Sequence, residues 1–423
     1  VVKDTRIVLP SSILEAGLAV EDGKVVAIAK DGKLPRAERM LDAKGNLTLP
    51  GIIDVHVHFR DPGLTYKEDF LTGSMAAAAG GVTTVFDMPN TLPMVKDAET
   101  LKVKVGVAEK KSYVDFGILG VVMEDNLTEL GGLAEAGVLG FKLYMAETMD
   151  MEVDDWLLFE AFRSVAKTGL RLGVHAENNW IIQRLTKKMK EDGRIDPMAF
   201  VESRPCLAEA EAVQKAIFFS RETGSKLHFH HLSSMKSVEI VGRAKKEGLF
   251  VTCETCPHYL LFKDEDMRKL GSILKITPPI KSGKDQKGLW NGLLNGSIDI
   301  IASDHSPHTI EEKIKDNIWE ASSGFVGVET SLPLMLTQVN RGRLTINEYV
   351  RFASENPAKA YGIYPQKGTV QIGSDADLTI VDMKKESVIK GEKLHSKSRV
   401  TPFEGWKVQG SPIYTIVRGN VIM

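Results

Sequence analysis

A chain of 423 residues with 43% hydrophobic and 26% charged side chains is long enough for one large domain and a smaller one, and its composition excludes a fibrous or disordered class. A formal net charge of -2 leaves no electrostatic footprint for a polyanion, so no nucleic-acid partner is expected.

From the first residue to about 48, apolar and polar residues alternate, as in Leu18-Ala19-Val20, the turn Glu21-Asp22-Gly23 and Val25-Val26-Ala27-Ile28. No basic, apolar leader precedes them, and no apolar run anywhere reaches the roughly 18 residues of a membrane span, so the cytoplasm is the expected compartment and no membrane partner is expected. The far end repeats the pattern, with Ala376-Asp377-Leu378-Thr379-Ile380-Val381 and Ile413-Tyr414-Thr415-Ile416-Val417. Between these ends, buried strand-like runs alternate with helical stretches, which predicts β/α units around a parallel sheet. The eight expected strands are Ile52 to His56, Thr83 to Asp87, Val114 to Leu119, Gly140 to Tyr144, Arg171 to His175, Lys226 to His231, Leu249 to Glu254 and Asp299 to Asp304. Helices are expected over Glu68 to Ala79, stopped by Gly80-Gly81, and over Leu207 to Thr223, ended by Gly224. The fold class that follows is α/β: a (β/α)8 TIM barrel over 49–365 with a small β-sandwich domain formed by both chain termini, 1–48 and 366–423. The three cysteines Cys206, Cys253 and Cys256 cannot all pair within the chain, and Cys253-x-x-Cys256 has no second pair to complete a zinc ribbon, so a reduced structural role is expected.

The strand ends carry the chemistry. Pro50-Gly51 before the first strand and Asp61-Pro62-Gly63 after it mark turns, which places His56 and His58 at the strand's carboxyl end, where barrel enzymes keep their active sites. Alternate residues share a face, so the two imidazoles project together with Cα atoms about 6.6 Å apart and can grip one metal ion. Other strands finish similarly, in Lys142, His175, the run His228-Phe229-His230-His231 and Asp304-His305-Ser306-Pro307-His308. Each residue alone is more simply a satisfied hydrogen-bonder or a snorkelling lysine; jointly they converge on one barrel mouth. Imidazoles with a carboxylate suit zinc. An ammonium at Lys142 would be repelled by a metal, so that lysine has to be neutral or chemically changed.

His56-x-His58, Lys142, His175, His231 and Asp304 together resemble the amidohydrolase superfamily, in its branch of cyclic amidases, and the similarity covers nearly the whole chain. The resemblance implies two zinc ions in the barrel mouth, with His56, His58 and Asp304 on one, His175 and His231 on the other, and Lys142 bridging them as a carboxylated lysine. Within the branch, Arg60 two residues past the metal pair, Asn90 in Met88-Pro89-Asn90-Thr91, and His308 with Lys313 are similar to dihydroorotases. Ser323 and Gly324 fall where that family offers backbone contacts to its ring. The activity implied is reversible cyclisation of N-carbamoyl-L-aspartate to L-dihydroorotate in pyrimidine synthesis. Arg60, Asn90 and His308 are expected to bind the ring carboxylate and Asp304 to carry the proton. The competing reading of Arg60 is a structural salt bridge to Asp61 or Glu68.

Other features depart from that pattern. Glu254-Thr255-Cys256-Pro257-His258-Tyr259 looks more like allantoinases or hydantoinases, Ser306 stands for the usual alanine, and Thr277 stands where many dihydroorotases have asparagine. The alternative activities are therefore allantoinase or hydantoinase/dihydropyrimidinase. A non-catalytic scaffold protein that kept the fold would be expected to lose ligands, and here the full set is present. The expected partner is a small molecule; a homo-oligomer or a complex with a carbamoyltransferase stays open. The segment from Ala146 to Asp150 is a candidate lid.

Overall fold

The computed structural model describes residues 1–146 and 153–423, so most of the candidate lid lies outside the described residues. Eight parallel strands run in chain order around one sheet: β1 (Ile52–Val57), β2 (Val82–Asp87), β3 (Asp115–Val121), β4 (Gly140–Tyr144), β5 (Arg171–His175), β6 (Lys226–Phe229), β7 (Val251–Thr255) and β8 (Ile300–Ile301). The ring closes just beyond β8, where Val57 bridges His305 in parallel and His58 N–H donates to the His305 carbonyl at 2.8 Å. With helices between successive strands, this is the expected (β/α)8 barrel. Every residue of β1, β2 and β4 is buried, as strands covered on both faces must be.

β6 and β8 are shorter than the sequence suggests. The amide of His230 still reaches the Val174 carbonyl and that of Ala302 the Thr255 carbonyl, but His231 and Asp304 adopt positive φ (36° and 48°) and turn each chain out of the sheet. The first helix, Phe70–Ala79, starts two residues later than expected because Asp69 caps it, accepting from Thr72 N–H, while Glu68 turns inward to the Ser396 hydroxyl. The helix Cys206–Thr223 ends on Gly224 in the left-handed region, φ 72°.

The termini build two further sheets. Four strands, Lys24–Ala29, Gly17–Glu21, Val2–Lys3 and Leu41–Asp42, form one; six, Asn420–Val421, Lys407–Val417, Leu378–Val388, Leu47–Pro50, Arg6–Val8 and Ile13–Glu15, form the other. In the six-stranded sheet alternate residues serve opposite cores. Ile7, Leu378, Ile380 and Ile416 join a cluster with Val2, Leu18 and Val25 of the small sheet, whereas Val8, Val381 and Val417 join the barrel's core. On that separation of cores we propose the division of the chain into 1–48 with 366–423 and 49–365. Among the described residues no helix is long and apolar enough to cross a membrane, and the three cysteines are free.

Candidate active site

β1 delivers His56 and His58 side by side, and the turn after β8 brings Asp304 to them. Asp304 Oδ1 lies 3.3 Å from His56 Nε2 and 3.4 Å from His58 Nε2, and the three ligand atoms fall within 4.8 Å of one another. Across the mouth, His175 at the end of β5 and His231 just past β6 bring Nδ1 and Nε2 to 3.1 Å. Burial, with the nearby cations as further causes, lowers the His58 and His231 imidazoles well below their usual range, so both are neutral and keep a lone pair. Such an arrangement suits a cation, since each ring otherwise faces another ring or an acid without a proton to share.

Lys142 stands between the two groups in the middle of β4. It is fully buried, and among the described residues its Nζ has neither a hydrogen-bond partner nor an ion pair. Burial pushes the ammonium down to about 7, against the opposing pull of Glu254 and Asp304. An amine that sheds its proton near neutrality is a nucleophile, and this one lines the same cavity as both histidine groups.

Arg60 follows the histidines with φ 61°, one of three non-glycine residues at the mouth, with His231 and Asp304, that take the left-handed conformation. Such strain at successive strand ends marks positions the surrounding structure holds for a purpose. Its Nη2 donates to Ser306 Oγ at 2.7 Å and lies 3.3 Å from His308 Nε2, while Nε is buried without a partner. The salt-bridge alternative fails: Asp61 pairs with Lys111 at 2.7 Å, and Glu68 accepts from Thr72 and Ser396 hydroxyls. Among the described residues no carboxylate forms an ion pair with Arg60.

These side chains line one cavity of about 380 Å³, together with Asn90, Tyr144, Thr277, Ser306, His308, Ser323 and Gly324. The candidate metal and substrate residues expected from the sequence thus all line the mouth, whereas Lys313 does not, its Nζ donating to the Lys275 and Ser322 carbonyls; several of those at the mouth have protein partners there. Asn90 Oδ1 accepts from His58 Nδ1–H at 2.8 Å and so fixes that ring's tautomer. His308 is neutral, pushed down to about 2 by burial, Arg60 and Lys67; its Nε2–H donates to the Ser323 carbonyl at 3.0 Å. The Gly324 amide already donates to the Lys275 carbonyl at 2.9 Å. Glycine is required at 324, because φ is 126° and a Cβ would sit 2.6 Å from the Ser306 carbonyl, displacing the residue that holds Arg60.

Two carboxylates were not visible as site residues in the sequence. Glu177 Oε2 accepts from His175 Nε2–H at 2.8 Å and is paired with Arg204. Glu254, at the end of β7, accepts from His56 Nδ1–H. Glu177 stands two residues past His175, a spacing the sequence reading does not use, whereas only contacts from other strands reveal Glu254. A third acidic group, Asp115, Asp375 and Asp377, lies outside the mouth and is tied up by Lys367, which reaches Asp115 and Asp377 at 2.5 Å each.

A family model described as "Amidohydrolase family" matches residues 47–422. The chain belongs to the amidohydrolase family. This amidohydrolase is 41% identical over 431 residues to the dihydroorotase of Methanosarcina mazei, spanning all of this chain and 93% of that one. It is 37% identical over 428 residues to the allantoinase of Solibacter usitatus, again over the whole chain and 93% of the relative. Among solved structures, the L-hydantoinase (dihydropyrimidinase) from Arthrobacter aurescens superposes with a TM-score of 0.97 at 40% identity, over 99% of this chain and 95% of that one. The amidohydrolase is thus a cyclic amidohydrolase, with three named activities at similar distance from it.

Proposed function

We propose that this amidohydrolase is a dihydroorotase, interconverting N-carbamoyl-L-aspartate and L-dihydroorotate plus water in pyrimidine synthesis in the cytoplasm. A carbamoyltransferase reaction would supply its substrate. The observation that carries the reading is Arg60: a buried guanidinium that forms no ion pair among the described residues, lining the cavity beside the candidate ligands, is a receptor for an anion. Dihydroorotate has a carboxylate on its ring; allantoin and unsubstituted hydantoin do not.

The side chains fit a binuclear zinc centre, as Lys142 Nζ, without a hydrogen-bond partner among the described residues, and the 3.1 Å approach of His175 Nδ1 to His231 Nε2 indicate. His56, His58 and Asp304 would hold one ion, His175 and His231 the other, and Lys142 both, after its amine adds to CO2 and loses a proton to become a carbamate. When bound, the ions would supply Lewis acidity toward the scissile carbonyl and lower the pKa of water. The chain's own groups do the rest. Arg60 holds the ring carboxylate and thereby fixes which carbonyl faces the ligand cluster. Asp304, its carboxyl raised by burial against the pull of His56 and Lys142, takes the proton of the attacking water and returns it to the departing ring nitrogen; in the cyclising direction it takes the ureido proton.

A second reading, hydantoinase or allantoinase, is favoured by Glu254 with the residues through Tyr259, and by Thr277 on the cavity wall in place of asparagine. Turnover of L-dihydroorotate, hydantoin, dihydrouracil and allantoin by the zinc-loaded protein decides between them. The highest kcat/KM is expected on dihydroorotate, and a preference for allantoin or for an unsubstituted ring refutes the proposal.

A further inference from the structure

Glu254 collects more of the mouth than any other side chain. Its Oε1 accepts from His56 Nδ1–H, from the backbone N–H of His231 at 3.2 Å and from His230 Nδ1–H at 3.3 Å; its Oε2 accepts from His228 Nε2–H at 3.0 Å. The carboxylate is fully buried, and among the described residues neither lysine nor arginine pairs with it. A buried anion met only by neutral N–H donors is stable when a cation stands close by. Here the ring of His56 separates Glu254 from the His58–Asp304 group, so the missing positive charge belongs one imidazole away.

We infer that Glu254 is a positioning residue, which sets the tautomer of His56 and the backbone of His231 and through them the affinity of the mouth for a divalent metal. With Nδ1–H held by the carboxylate, the His56 Nε2 lone pair points at Asp304 and cannot exchange places with the proton. His231 sits at φ 36°, an unfavourable conformation for a β-carbon residue, and the hydrogen bond from its amide to Glu254 holds the turn that aims its ring at His175. The same carboxylate therefore serves a candidate ligand in each of the two groups. His228 and His230 face it from below: His228 Nδ1 accepts from the Thr252 hydroxyl at 2.8 Å, which leaves its Nε2–H for Glu254. This accounts for the four histidines that meet one acid there, His56, His228, His230 and His231.

The inference rests on the proposed metal centre. Zn2+ affinity is measured by competition with a chromophoric chelator in bicarbonate buffer, alongside thermal melting of the metal-stripped protein. Glu254→Gln is isosteric and keeps an acceptor for His56 while removing the charge. About 10- to 100-fold weaker binding is expected, with stripped-protein melting close to that of the unsubstituted chain. Glu254→Asp, which keeps the charge on a shorter arm, is expected to recover part of the loss. Unchanged affinity in Glu254→Gln overturns the inference, as does a lowered melting temperature with unchanged affinity, the mark of a purely structural residue. If Glu254→Gln does not fold, Glu254→Asp decides alone: weaker binding supports the role and unaltered binding overturns it. Failure of the unsubstituted protein to take up zinc removes the metal centre itself, an outcome distinct from the others.

Discussion

Replacing Arg60 by methionine tests substrate choice directly. The side chain keeps the unbranched apolar stem and ends about where Nε stood, and both residues meet φ 61° with the same β-carbon, so the backbone at the mouth is preserved. What disappears is a buried guanidinium whose hydrogen-bond acceptor among the described residues is Ser306 Oγ, at 2.7 Å, since the His308 Nε2 that lies 3.3 Å away carries the proton given to Ser323. Two charge-assisted hydrogen bonds to a substrate carboxylate at roughly 1.5 kcal/mol each come to ~3 kcal/mol, which at about 1.4 kcal/mol per decade is a loss near 150-fold. The assay compares kcat/KM on L-dihydroorotate with that on dihydrouracil, the same ring without the carboxylate, following loss of ring absorbance. Dihydroorotate is expected to lose about two orders of magnitude in Arg60→Met while dihydrouracil changes little. Since Nε of Arg60 is buried without a partner, the melting temperature of the free protein is expected to hold or rise. Equal losses on both substrates would refute the reasoning, because the guanidinium would then support the site generally and not recognise an anion.

Asp304→Asn keeps the shape but not the base, and turnover in both directions is expected to fall about 10²- to 10⁴-fold, measured on protein whose zinc content is determined in parallel. Removing metal with a strong chelator is expected to abolish activity, and zinc with bicarbonate together to restore it, with zinc alone slower if the carbamate at Lys142 has been lost. Gly173→Ala would set a Cβ 2.2 Å from His230 Nε2 and press that ring against Glu254; a loss of about 1–3 kcal/mol in urea unfolding is expected, and a stability equal to that of the native chain would mean the ring is free to move. Lys104→Met would strand Asp87, whose Oδ2 pairs with Lys104 at 2.6 Å and whose Oδ1 accepts from Phe59 N–H at 2.7 Å; a cost of about 3 kcal/mol is expected, recovered in part by adding Asp87→Asn.

The barrel is legible because parallel strands buried on both faces read as unbroken apolar runs. β4 and β5 fall on the residues the sequence indicates, Gly140–Tyr144 and Arg171–His175. Misplaced ends occur where a functional residue leaves the sheet early, at His231 and Asp304, since positive φ in a histidine or aspartate has no signature in composition. The candidate ligands are legible by the same logic, as polar residues ending apolar strands. Glu254 is not, because its histidine partners lie on other strands and it meets β1 and β6 only once the ring is closed; Glu177, two residues past His175, is defined by a local contact that carries no signal without the strand's geometry. The motif assigns Asn90 to substrate as a donor, and the structure adds a second contact the motif does not show, its carbonyl oxygen accepting from His58. The choice of ring among cyclic amides rests on one guanidinium in an otherwise shared mouth.

The strand Leu47–Pro50 is a guest between two others: Leu378–Val388 pairs antiparallel with it on one side and Arg6–Val8 runs parallel on the other. From it the chain passes through Gly51, whose amide donates to the Asp377 carbonyl at 2.7 Å, straight into β1 with its two histidines. During synthesis this strand emerges early and its antiparallel neighbour almost last. Until then it presents a bare apolar edge, and the root of β1 hangs without its final support. A ribosome stalled before Leu378 would thus leave the entire mouth encoded yet the strand that bears His56 and leads into His58 unmoored, so the last-made strands act as a clasp on the first-made part of the mouth.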